Sequence, residues 1–341
     1  MPRAKRVVVT TSFPHNPGDA AGCFVEADVR ALEGEVHVLC PAGEPRSVRS
    51  AGAMCVHAVG GDELFAWPGA VERFRKAPWR ILGAFTFARG VRRKLAELWP
   101  FEAVIAHWLI PSALLCEGYP LERAVAHGAD VRLLLRMPSA LRARIVRSLL
   151  RARLQFVAAS LLEQLLSSLP AALARAVRER SFVEPCPLSL PPLDRPTRER
   201  ARALPRYLAV CGRLVADKRI ELALQAAAKL DAQMVVIGDG PLRDELRRLH
   251  PEAMFTGQLP RTQALAFIAE AAALVSCSRH EAAPTVVREA RALGVPVVAT
   301  ASGDVAHWAA TDPGIWLADP ESGALADLIG VATHDARSRS S

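Results

Sequence analysis

Short apolar runs of strand length alternate with stretches of helical period along almost the whole chain. Arg6 to Thr10, Val36 to Leu39, Ala103 to Ala106, Arg123 to Ala126 and Phe156 to Ala159 read as buried strands. Tyr207 to Val210, Gln233 to Ile237, Ala253 to Phe255, Leu274 to Cys277 and Val295 to Ala299 read the same way. Between them Cys23 to Leu32, Ala84 to Leu98, Leu161 to Leu169, Leu242 to Leu249 and Thr262 to Ala272 predict helices, and Ser160 is placed to cap the third. Ile220, Ala223, Leu224 and Ala227 supply the buried stripe of another. This alternation predicts an α/β protein with parallel sheets covered on both faces. Six prolines with little periodicity between Glu184 and Pro205 predict an interdomain linker. The chain then divides into two doubly wound, Rossmann-like domains, residues 1–190 and 205–330.

The stretch from Val275 to Thr300, VSCSRHEAAPTVVREARALGVPVVAT, concentrates the chemistry. Two strands flank a helix predicted to start at Pro284, since proline suits the first helical position. On that helix Val286, Ala290 and Leu293 mark the inward face and Arg288 and Arg291 the outward one. Glu289 falls on the inward side, where a carboxylate is costly unless paired. Glu281 lies in the turn beyond the carboxyl end of a strand, the place where open α/β sheets put ligands. Two readings follow, a pair of ligand-binding acids or a capping Glu281 beside a half-exposed Glu289.

The string H-E-A-A-P-T-V-V-R-E-A-R-A-L-G-V-P-V-V-A-T resembles the signature of family 4 retaining glycosyltransferases, with two glutamates followed by A-x-A-x-G-x-P-V-V-A. G-R-L-V-A-D-K at Gly212 to Lys218, V-I-G-D-G-P at Val236 to Pro241 and F-T-G at Phe255 to Gly257 match in the same order. The resemblance implies the GT-B fold, with the two domains facing each other across a cleft. It implies an acceptor-side first domain and a nucleotide-sugar-binding second domain. Arg213 and Lys218, beside Gly212, would hold the leaving diphosphate, a task suited to a forked guanidinium and a point-charge ammonium. Glu289 would bind ribose hydroxyls and Glu281 the transferred sugar, with Pro284, Thr285 and the helix N-terminus near the phosphates.

Three further stretches extend the resemblance into the first domain. Thr11 to Gly22, TSFPHNPGDAAG, is similar to the family's glycine-containing loop over the donor phosphates, with Gly18 and Gly22 as candidates. A-H-W-x-x-P at Ala106 to Pro111 resembles a structural feature of the acceptor side, which makes His107 structural. H-G-x-D at His127 to Asp130 implies that His127 sits beside the donor sugar. In the family the acceptor hydroxyl attacks the anomeric carbon from the face the diphosphate leaves, and the leaving phosphate takes the proton. No protein nucleophile is required. No D-x-D is present to hold a metal, so the expectation is a metal-independent hexosyltransferase with no cofactor. A UDP-sugar is the favoured donor, and the acceptor is a glycan or lipid-linked, in cell-surface polysaccharide or glycolipid synthesis.

Composition narrows the setting. Seven scattered cysteines without C-x-x-C spacing predict a reducing cytosol, and no run of eighteen apolar residues spans a bilayer. The net charge of +8 suggests anionic partners, yet no nucleic-acid-binding motif accompanies it. The basic amphipathic stretch Leu141 to Leu154 can lie on an anionic membrane as a peripheral contact on its inner face, or pack as an ordinary helix. Rival readings are a nicotinamide dehydrogenase, whose fingerprint is broken because Arg243 stands at the third glycine, a sugar-nucleotide epimerase, and a catalytically silent GT-B-like binding protein. The last is kept open by three departures from the family. Arg219 stands where glycine is usual, Ser302 to His307 lacks the expected G-G-x-x-E, and no helix is evident after Gly330.

Overall fold

A computed structural model describes the chain except residues 1–4, 17, 42–45, 50–52, 66–69 and 339–341. The chain divides into two compact units, 1–187 and 188–341. The first holds eight strands: β1 Lys5–Val9, β2 Glu35–Cys40, β3 Arg46–Arg49, β4 Ala53–Ala58, β5 Ala103–His107, β6 Leu121–Ala126, β7 Arg153–Phe156 and β8 Ser181–Val183. Their order is β3-β4-β2-β1-β5-β6-β7-β8, parallel throughout except for the antiparallel edge pair β3–β4. The chain reverses direction across the sheet between β1 and β5, so the loops after these strands open at one carboxyl-terminal edge.

The second unit holds β9 Tyr207–Cys211, β10 Gln233–Ile237, β11 Met254–Gly257, β12 Ala273–Ser276, β13 Val297–Thr300 and β14 Ile315–Ala318, all parallel in the order β11-β10-β9-β12-β13-β14. Alternate residues of one strand enter opposite cores. Leu208, Val210, Met234 and Val236 pack on one face, and Tyr207, Ala209, Val235 and Ile237 on the other. Both faces are covered, as the apolar runs require.

Several elements differ from expectation. The strand predicted at Phe156 to Ala159 ends at Phe156, and the next helix, Ala159–Ser167, starts without a side-chain cap, leaving Ser160 inside it. Within the proline-rich segment Asp194 caps a helix, Arg195–Arg202, by accepting from the Thr197 amide at 3.0 Å, and Ala201 is buried against the second unit's core. Helix Ser322–Ser338 fills the stretch after β14, with Leu325, Ala326, Ile329 and Ala332 packed on the core. Ala326 and Ala332 supply half of that face, which weakened its periodic signal.

The basic helix is Ser139–Leu149, and the chain has turned into β7 by Arg153. Its inward residues are Ala143, Val146 and Leu149, so the apolar stripe is spent on the fold, with Ile145 half-buried and Leu141 exposed. Arg142 donates to the carbonyls of Leu135, Met137 and Ser168, and Arg151 to that of Ala113. No helix among the described residues is long and apolar enough to cross a membrane.

Candidate functional site

The loop after β9 carries Gly212, Arg213 and Lys218. Gly238 presses against it so closely that a Cβ there would meet the Gly212 carbonyl oxygen at 2.0 Å, which accounts for the glycine. The Gly212 amide donates to Ile237 at 2.9 Å and the Leu214 amide to Asp239 at 3.0 Å, which pins the loop to the end of β10. Arg213 is exposed. Lys218 closes a short 3-10 turn, Ala216–Lys218, lies against Gly212, and its ammonium pairs with the Glu281 carboxylate.

Arg219, which follows, adopts the left-handed conformation at φ 46°, ψ 43°. Glycine is favoured there because it has no Cβ to crowd the backbone. The guanidinium offsets the strain: Nε donates to the Cys277 carbonyl at 2.7 Å and Nη2 to Thr300 Oγ1 at 3.1 Å. The departure from the family pattern thus ties the loop to the ends of β12 and β13.

The Glu281 amide donates to Ser302 Oγ at 2.8 Å. Gly303, at φ 59°, runs under the same loop, where a Cβ would meet the Ala282 carbonyl oxygen at 2.1 Å. The degenerate segment after Ala299 therefore still supports the Glu281 turn, through a hydroxyl and one obligatory glycine. The helix beyond is Thr285–Ala292, with Pro284 as its N-cap at ψ 112° and not its first helical residue. Its buried face is Val287, Glu289 and Ala290, whereas Val286 and Leu293 are only half-buried. The expected face was turned by about one residue, because two adjacent valines satisfy the period equally well. Arg291, expected to point outward, holds Asp312 with two bonds of 2.8 and 2.9 Å.

Glu289 is buried, and Arg261 meets it: Nε and Nη2 reach Oε1 at 2.8 and 2.7 Å, while Nη2 also donates to the Ser189 carbonyl at 2.6 Å. Burial pushes the Glu289 carboxyl up, and Arg261 pulls it back toward the charged form. The Cys211 thiol at the end of β9 is pushed up to about 12, chiefly by burial and further by Glu289, against Lys218. Lys218, Glu281, Gly212 and the start of the Thr285–Ala292 helix thus share one edge of the sheet.

In the first unit Gly18 and Gly22 take positive φ, 92° and 74°. A Cβ on Gly22 would meet the Phe13 backbone at 2.7 Å, so this glycine is sterically required, while Gly18 faces open space. Asp19 ties the loop by accepting from the His15 and Asn16 amides. His127 follows the carboxyl end of β6, between the rings of Phe24 at 5.0 Å and Trp108 at 4.6 Å. Its Nε2 is 3.0 Å from Nδ1 of the fully buried His107. His107 Nε2 is in turn 3.1 Å from Asp28 Oδ2, and Arg123 grips Asp28 at 2.7 Å. Burial opposes ionisation of Asp28, yet His107 and Arg123 hold its carboxyl down at about 2. Burial lowers both imidazoles, His127 well below its ordinary value, while Asp28 pulls His107 back toward the charged form. Asp130 accepts four backbone amides, of Leu109, His127, Gly128 and Val131, and so fixes the loop that aims His127.

The glycosyl transferases group 1 family matches residues 197–341. A GDP-mannose-dependent alpha-mannosyltransferase of Mycolicibacterium smegmatis is 39% identical over 92 residues, 27% of this chain and 24% of that protein. The second unit therefore resembles the group 1 glycosyltransferases over almost its whole length. Sucrose-phosphate synthase from Thermosynechococcus elongatus superposes with a TM-score of 0.70 at 17% identity, covering 98% of this chain and 91% of that one. HepE of Anabaena, solved with UDP and glucose, gives 0.64 at 15% identity, covering 98% and 91%. These likenesses show the fold, which is GT-B.

Sequence reading missed Arg261, Asp28 and Arg123, and the contacts made by Arg219 and Ser302. Each acts through a partner far along the chain, and none lies at a spacing that names the partner. The one available signal was Glu289, a carboxylate on an inward helical face that demands a cation.

Proposed function

We propose that the protein is a retaining, family 4 glycosyltransferase that moves a hexose from a nucleoside-diphosphate donor to an acceptor hydroxyl. The Lys218–Glu281 pair carries this reading. It sets a cation for phosphate beside a carboxylate for sugar hydroxyls, on two loops of one sheet edge, inside the stretch that matches the family. Arg213 and Lys218 take the growing negative charge of the diphosphate, aided by the free amides at the start of the Thr285–Ala292 helix. Glu289, oriented by Arg261, takes the ribose hydroxyls, and the family resemblance assigns Gly18 and Gly22 to the donor phosphates and His127 to the transferred sugar. The bond from anomeric carbon to phosphate oxygen breaks as the bond to the acceptor oxygen forms on the same face. The acceptor proton passes to the departing phosphate, so no metal or other cofactor takes part.

The relative is named for GDP-mannose and the HepE structure holds UDP, so the donor panel includes GDP-mannose and UDP-glucose. Incubation with each donor and a lipid-linked or glycan acceptor should release the nucleoside diphosphate with an α-configured product. Inverted product, or no release with any donor, would sink the reading, and the second outcome favours a silent binding protein.

A lipid-linked acceptor for cell-surface polysaccharide or glycolipid is supported by one surface of the first unit. Phe74, Trp79, Ile81, Leu82 and Phe85 are exposed together, with Arg89, Arg92 and Arg93 exposed further along the helix Leu82–Leu98. Aromatic and aliphatic tips beside arginines suit the anionic headgroup layer of a membrane, contacted peripherally from the cytoplasmic side. Sedimentation with anionic vesicles should fall when Trp79 and Phe85 become serine, and binding unchanged by that pair would move the contact elsewhere.

A further inference from the structure

One nitrogen each of His107 and His127 and the Cys186 Sγ all lie within 4.8 Å of one another, the only such group of three among the described residues. The two rings face each other through His107 Nδ1 and His127 Nε2 at 3.0 Å. The far nitrogen of His107 lies 3.1 Å from Asp28, which Arg123 fixes in place. A carboxylate behind a ligating imidazole is the usual outer support of a metal site, because it selects the tautomer and raises basicity at the ligating nitrogen. Cys186, buried and in no disulfide, comes from the segment after β8, so three separate stretches of the first unit converge here.

The pair His37 and His57 gives an internal contrast. Its nitrogens are 2.9 Å apart, and Glu35 lies 2.9 Å from the far nitrogen of His37. It matches the first pair in ring geometry, yet no third donor completes it among the described residues. A histidine pair backed by a carboxylate therefore occurs twice, and a thiol joins only the one that includes His127.

We propose that His107, His127 and Cys186 form an inhibitory binding site for a borderline-soft divalent cation, with Zn²⁺ the ion whose chemistry fits. Two imidazoles and a thiolate are its preferred donors, at about 2.0 to 2.1 Å and 2.3 Å. A tetrahedral ion needs its nitrogens about 3.3 Å apart and nitrogen to sulfur about 3.6 Å. The rings must open by a few tenths of an ångström and the thiol draw in by at most about 1.2 Å, and His127, which is only partly buried, gives the ion a way in. On binding, the thiol proton leaves to solvent and the proton of His127 moves to Nδ1, while His107 keeps its proton toward Asp28. The fourth position is left for water. Filling the site locks His127 and so silences the role assigned to it above; only this consequence rests on the proposed function.

The test titrates chelator-treated full-length protein with Co²⁺ and Zn²⁺, follows the thiolate-to-cobalt charge-transfer band, and records X-ray absorption of the zinc form. One equivalent should bind, with two nitrogens and one sulfur in the shell. Cys186→Ser should weaken binding at least about tenfold and remove the sulfur, as should His127→Gln if the serine variant loses its fold. Cys116→Ser, at a buried thiol elsewhere in the unit, should leave it unchanged. No stoichiometric binding, a shell without sulfur, or affinity indifferent to both variants overturns the site. Zinc should also inhibit transfer by the wild type and spare Cys186→Ser; binding without inhibition overturns the control role. If the metal-free protein transfers no sugar, the functional reading fails, and the spectroscopy still decides the site.

Discussion

The Lys218 ammonium and the Glu281 carboxylate, 63 residues apart in sequence, form an ion pair at the carboxyl-terminal edge of the second sheet. On the proposed function a bound donor would replace that contact with phosphate on one side and sugar hydroxyls on the other. If Lys218 holds the diphosphate as proposed, their attraction grows as the glycosidic bond breaks. Lys218→Ala and Arg213→Ala should each lower kcat on the order of 10²-fold, by analogy with loss of one oxyanion donor, and not merely raise KM. Steady-state kinetics on variants with normal circular dichroism provide the check, and near-normal kcat in both would remove the diphosphate assignment.

Glu289 and Arg261 call for a gentler change. Removing the carboxylate outright leaves a mostly buried guanidinium uncompensated, at a cost of about 3 to 5 kcal/mol, so Glu289→Ala mixes unfolding with function. Glu289→Gln keeps an acceptor for Arg261. It should raise the donor KM several-fold with kcat little changed, because a ribose contact is the same before and during transfer. An equal fall in kcat and kcat/KM would place Glu289 in the transition state instead.

Arg219 separates backbone strain from side-chain ties. Arg219→Ala keeps the left-handed residue and loses the bonds to Cys277 and Thr300, so it should destabilise by about 1 to 3 kcal/mol. Arg219→Gly loses the same bonds but relieves the strain, and should be milder by about 1 kcal/mol. Urea unfolding of the two variants measures the difference, and an alanine variant as stable as the glycine one would contradict it.

Asp312 supplies a pH dependence. Its bonds to Arg291, and then the Gly314 amide, hold its carboxyl below the ordinary carboxylate range against a partial burial penalty. A depressed carboxyl stabilises the fold above its ordinary value, and the contribution is lost as pH falls through the lower folded value. Asp312→Asn should be less stable than wild type near neutrality, with the gap closing in acid. Thermal melts across that range give the answer; a gap constant with pH would deny the linkage.

Metal independence has its own trial. Transfer should persist in EDTA if, as proposed, Arg213 and Lys218 take the diphosphate charge that a cation takes where D-x-D is present. If zinc travels with the protein at the His107–His127–Cys186 site, chelation should raise activity. Complete loss in EDTA, restored by magnesium or manganese, would reverse the assignment.

The sequence by itself determined the fold class and the stretch that bears the chemistry. Apolar runs such as Val235 to Ile237 can be buried on both faces only in a covered parallel sheet, and the ordered strings around Gly212, Gly238, Glu281 and Glu289 named the family. Local rules governed those features, so they were legible along the chain. Only the tertiary structure decided who meets whom. That Glu289 belongs to Arg261, that Arg219 takes a glycine's place and ties three loops, and that Ser302 does the work of a missing motif all follow from strand order. So does the meeting of Asp28, His107, His127 and Cys186. β12 lies between β9 and β13, and β5 between β1 and β6, which brings together loops that are far apart in sequence. Charge pairing and metal coordination act over a few ångströms in space, and spacing along the chain carries no record of that distance.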